Sequence, residues 1–143
     1  MLHPLITYEW LYGLCECFHI LGFALAIGSV AVVDLHLLGL GFSSATTADV
    51  VSETRPWTSA GIVLAVLSGV VILSTDPGRY LSHQVMQLKF LTLGVAIVFN
   101  SSVHNPIASG MPSRGVAMAI ACLSLVLWTS LVFDGIFYAF TSG

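Results

Sequence analysis

Seven ionisable side chains stand inside, or at the ends of, otherwise apolar stretches: Glu16, His19, Asp34, His36, Lys89, His104 and Asp134. Such groups are costly in hydrocarbon, so each needs a partner or a task. Glu16 and His19 are three residues apart and share one face of a helix. Lys89 can reach the same depth from another stretch. A Glu16–Lys89 ion pair is therefore expected, joining Glu16, His19 and Lys89 in one polar network. Cys15 and His19 are four apart, a spacing that suits a soft metal such as copper. Cys17 points elsewhere on a regular helix. The second group is Asp34, His36, Asn100 and His104, with Arg55 expected as the partner of Asp34. Two histidines at equal depth on different helices can hold haem iron from both sides. His36 with His104 is the first such pair for a haem b, and Arg55 and Arg114 could meet its propionates. His19 with His83 is the second, because 17 residues separate His19 from His36, roughly 25 Å along a helix.

The elements that position these residues follow from composition. Of 143 residues, 57% are hydrophobic and only 8% are charged, against about a quarter charged in an ordinary soluble domain. So few charges cannot cover a water-exposed globular surface, and disordered chains have the opposite composition. Four cations and a net charge of −3 leave no basic patch for nucleic acid. The three cysteines, Cys15, Cys17 and Cys122, have no zinc-finger spacing. The start of the chain has no basic stretch and no small-residue cleavage site, so no cleavable signal peptide is expected.

A spanning helix needs about 20 mostly apolar residues. Four such stretches are predicted, at 16–40, 57–75, 85–104 and 114–138. Continuous apolar runs argue for helices and against a barrel of alternating strands. Asp76-Pro77-Gly78 is expected to stop the second span and Asn105-Pro106 the third. Short connections then give an all-α, single-domain, antiparallel four-helix bundle in the membrane. The loops around 41–56 and 105–113 fall on one side, called side B; the first span begins on side A. Tyr8, Trp10, Tyr12, Trp57, Tyr80 and Tyr138 are expected at the interfaces. Gly61, Ala65 and Gly69, Gly22 with Ala26, and Ala24 with Gly28 form small-residue stripes suited to close helix packing. Arg79 and Lys89 on side A balance Arg55 and Arg114 on side B, so the positive charges set no orientation.

The string Glu16-Cys17-Phe18-His19-Ile20-Leu21-Gly22, followed by Asp34-Leu35-His36-Leu37-Leu38-Gly39, resembles an uncharacterised family of small bacterial four-helix integral membrane proteins. That family reads E-x-x-H-x-x-G and then D-L-R-L-L-G. Arg55-Pro56-Trp57-Thr58, Gly61, Asp76-Pro77, Arg79-Tyr80, Gln87-Leu88-Lys89 and His104 continue the similarity over nearly the whole chain. The family carries arginine where His36 stands, and a basic residue where Asp134 and Gly135 stand. The resemblance implies an integral protein of the bacterial inner membrane. A looser similarity extends to copper-resistance D-type and b-type cytochrome membrane domains.

There is no H-E-x-x-H, no phosphate-cradling glycine motif and no nucleophile–base set in a loop, so catalysis by this chain alone is not expected. Three readings follow: a haem-b electron-transfer subunit; a copper- or small-solute-handling membrane protein; and an accessory subunit, in a homo-oligomer or a larger membrane complex, whose polar clusters serve packing.

Overall fold

The computed structural model describes residues 9–41 and 44–142, so the expectation for Tyr8 lies outside the described residues. The chain forms α1 (Glu9–Leu37), α2 (Thr47–Leu73), a short α3 (Pro77–Ser82), α4 (Gln84–Phe99), a π-helical turn at Asn100–His104, α5 (Asn105–Ser109) and α6 (Arg114–Thr141). Four stretches are long and apolar enough to cross a bilayer: Trp10–Leu37, Thr47–Leu73, Gln84–Ser109 and Arg114–Thr141. They pack as an antiparallel bundle in which α1 lies against α2 and α6, and α6 lies against α4. With antiparallel packing, the C-terminal ends of α1 and α5 and the N-terminal ends of α2 and α6 lie at the side-B end.

Two boundaries differ from expectation, each for a local reason. The second helix begins at Thr47 rather than residue 57. Thr46 accepts from the Asp49 backbone N–H at 3.2 Å, and the Asp49 carboxylate accepts from the Thr46 backbone N–H at 3.1 Å. This capping box starts the helix ten residues before Trp57, and Pro56 is carried inside it. The third span does not stop at Asn105-Pro106. The Asn105 N–H reaches the Asn100 carbonyl, five residues back. The wider turn makes room for Pro106, whose ring would collide with a carbonyl four residues earlier. The helix then continues to Ser109.

The Gly22–Ala26 and Gly61–Ala65 stripes are where α1 and α2 touch, whereas the expected Ala24–Gly28 stripe is not a close contact, since a Cβ at Gly28 would meet nothing within 4 Å. A Cβ added at Gly61 would stand 2.5 Å from the Ala26 nitrogen and 2.7 Å from the Gly22 carbonyl oxygen. One added at Gly22 would stand 2.6 Å from the Ala65 nitrogen. These are backbone atoms, so only glycine permits the approach. The central apolar layer is Ala26, Val30, Ala96, Trp128 and Leu131; a second, toward side B, is Val33, Val50, Val51, Ala108 and Ile120. Large apolar side chains such as Leu67, Val98 and Phe140 face outward, as lipid contact requires. On side A, Tyr12 and Tyr80 hydroxyls lie 3.0 Å apart and the Tyr80 and Tyr138 rings stack at 5.5 Å.

A buried histidine–aspartate pair beside a lipid-facing groove as the candidate functional site

Asp34 lies in the last turn of α1 and is fully buried. Its Oδ1 is 2.6 Å from Nε2 of His104, on the π-helical turn, and its Oδ2 accepts from the Ser124 hydroxyl of α6 at 2.8 Å. His104 and Ser124 are also fully buried. On its other edge, His104 Nδ1 is 3.1 Å from the Asn105 side-chain oxygen. That oxygen only accepts, so a ring protonated at Nδ1 would donate to it. A second proton, between Nε2 and Oδ1, would make an imidazolium–carboxylate pair or a neutral imidazole with a carboxylic acid. Either form is neutral overall, which is what an apolar setting favours for a buried ionisable pair. The Phe99 ring packs against the imidazole at 6.2 Å.

This arrangement corrects the expected partner of Asp34. Arg55 is exposed on α2 and makes no ion pair with Asp34. Instead it lines a groove of about 460 Å³ between α2 and the α4–α5 helix. Its polar lining includes Thr58 and Ser59 from α2 and Asn100, Ser101 and Asn105 from the facing helix. Ser59 and Ser101 are exposed, so the groove opens sideways between two spanning helices. Asn105 links groove and pair: it lines the first and bonds His104 of the second. Asn100 is 7% exposed, and its Oδ1 has no hydrogen-bond partner.

Among the described residues, His36 and His104 make no hydrogen bond or ring contact with each other. It is half-buried at the end of α1, with its ring against Gly41. His104 has both ring nitrogens engaged by Asp34 and Asn105. On side A, His19 Nδ1 is 2.7 Å from the Ala65 carbonyl and 3.3 Å from the Ser68 hydroxyl. Its ring lies over Gly69 and edge-on to Phe23 at 4.9 Å. His83 turns elsewhere, to the Tyr138 ring at 4.9 Å and the Thr141 hydroxyl at 3.4 Å.

The expected Glu16–Lys89 pair is also not formed. Glu16 is exposed beside Tyr12. Lys89 Nζ lies 5.2 Å above the Phe23 ring, and its acidic neighbour is the buried Asp134 of α6. His19 lies within the reach of the Lys89 charge. His19 lies within reach of the Glu16 charge as well, so the expected group on side A is extended by Asp134 of α6, the carboxylate nearest Lys89. Cys15 is half-buried. Among the described residues, no group of three or more histidine, cysteine or acidic side chains is placed to hold a metal ion.

Ser124 and Asn105 had no role in the sequence reading. Ser124 was visible as a hydroxyl in a charge-free span, one turn from Trp128 and Ala121 on the buried face of α6. Asn105 read as a helix stop, because the π turn that turns it toward His104 leaves no periodicity signal. No protein-family model, curated protein or solved structure matches the chain.

Proposed function

We propose that this small integral membrane protein is a proton-handling subunit of a larger assembly in the bacterial inner membrane, with the His104–Asp34 pair as its proton site. The observation that carries the reading is the hydrogen-bond chain from Asn105 through His104 and Asp34 to Ser124, buried in the side-B half of the bundle. Buried ionisable residues of membrane spans commonly mark proton or ion pathways. The 2.6 Å contact is short enough for the two groups to exchange a proton, and Asn105 leads from it toward the groove. The apolar layer around Trp128 and Leu131 separates it from side A, so exchange occurs with side B. Infrared difference spectra across a pH titration test the reading. One protonation event assigned to a carboxyl or imidazole group, lost in both Asp34→Asn and His104→Gln, supports it. Spectra of the two variants identical to the parent's contradict it.

A second reading keeps haem b and electron transfer but moves the ligand. The Nδ1 of His19 is held by a backbone carbonyl at 2.7 Å, the usual way a protein orients an imidazole whose other nitrogen binds a metal. His19 then offers Nε2 to haem iron or copper. Protein produced with ample haem should show a Soret band that His19→Ala removes and His36→Ala leaves intact; no band in the parent protein refutes this version.

A further inference from the structure

We infer that the groove between α2 and the α4–α5 helix binds the hydroquinone head of a lipid-soluble quinol. Its volume of about 460 Å³ is that of a small-ligand site. It opens between two spanning helices rather than into a connection, so its occupant arrives through the lipid and is an amphiphile. The lining fixes the head chemistry. Arg55 offers N–H groups and no acceptor. Asn100, 93% buried by its 7% exposure, presents an Oδ1 without a partner and therefore asks for a donor. Because α2 and the α4–α5 helix run antiparallel, Arg55, eight residues from the side-B start of α2 at Thr47, lies near the depth of Asn100, nine residues from the side-B end at Ser109.

The head must accept a hydrogen bond from Arg55 on one wall and donate one to Asn100 on the other. A para-hydroquinone does both, with a hydroxyl at each end of a flat ring that fits between aliphatic walls. The phosphodiester and ester groups of a phospholipid do not: they only accept and leave Oδ1 unpaired. No carboxylate lines the groove to repel the ring oxygens. The inference rests on the groove and not on proton exchange between His104 and Asp34. Binding and titration are measured separately, so either can fail alone.

The test is calorimetric titration of the full-length protein in detergent with three probes: decylubiquinol, decylubiquinone and dioleoyl phosphatidylglycerol. The quinol should bind saturably at one site, about tenfold or more tighter than the quinone, which lacks the donor for Asn100. Asn100→Leu should erase that preference, and Arg55→Gln should weaken both forms. The comparison of quinol with quinone on the unmodified protein needs no variant to fold. Equal affinity for the two forms, no binding of either, or displacement of the quinol by stoichiometric phosphatidylglycerol overturns the inference.

Discussion

His104 and Asp34 are 70 residues apart in the chain, yet in the bundle the ring Nε2 of one lies 2.6 Å from the carboxylate Oδ1 of the other. The contact joins the first and third spans near side B, and Ser124 ties both to the fourth. One buried pair thus holds three of the four spanning helices in register.

Removing one member of this pair should be far worse than removing both. Asp34→Ala strands the His104 ring and the Ser124 hydroxyl in an apolar setting, at a cost of about 3–5 kcal/mol. Replacing both residues by leucine should cost clearly less than the sum of the single changes. Thermal unfolding in detergent of the two single variants and the double variant measures this. Strict additivity would show that the residues act independently.

The same logic separates Glu16 from Lys89. Glu16 is exposed, so Glu16→Gln should shift thermal stability by no more than about 0.5 kcal/mol. Lys89→Met leaves Asp134 buried without its cation, and should be rescued in part by a second change, Asp134→Leu. Rescue by Glu16→Gln instead would restore the partner that charge and depth alone suggest.

The α1–α2 contact makes a sharper steric prediction. Gly61→Ala drives a methyl group against the Ala26 nitrogen and the Gly22 carbonyl, so the helices must part; overpacking of this kind costs about 1–3 kcal/mol. Gly28 and Gly94 are also glycines of spanning helices, but an added Cβ meets nothing within 4 Å. Alanine there should be neutral or slightly stabilising. Melting temperatures of the three alanine variants rank the sites, and equal effects at Gly61 and Gly94 would contradict the close approach.

The helix cap that lengthens α2 is testable on its own. Thr46→Ala removes the acceptor for the Asp49 N–H and should cost about 1 kcal/mol. Hydrogen exchange should speed up over residues 47–55 and leave residues 58–70 unchanged.

Much of the fold is legible in the sequence because lipid imposes one rule: a long apolar run must be a helix, and short connections make neighbours antiparallel. The Gly22, Gly61 and Ala65 stripe was readable for the same reason, since only small residues permit the contact. The site was readable as residues but not as pairs. Asp34 and His104 stood out as polar groups in apolar runs, yet charge alone favours Arg55 for Asp34 and Glu16 for Lys89. Depth along a helix says nothing about which face a neighbour presents. The π turn compounds this, because one extra residue rotates everything after it by roughly 100° relative to a regular helix. Both Asn105 and His104 lie at that turn. Nothing in the local pattern around Pro106 distinguishes a helix that ends from one that widens and continues.

The most direct test of the proton site is the protonation of the His104 ring. Nitrogen-15 spectra of the histidine-labelled protein in lipid, assigned by comparison with His104→Gln, report each ring nitrogen separately. The structure predicts that Nδ1 carries a proton, because it faces an oxygen that only accepts, and that Nε2 shows the strongly shifted signal of a nitrogen sharing a proton with Asp34, which Asp34→Asn abolishes. A neutral ring protonated at Nε2 alone, with a signal unchanged in Asp34→Asn, would contradict the account.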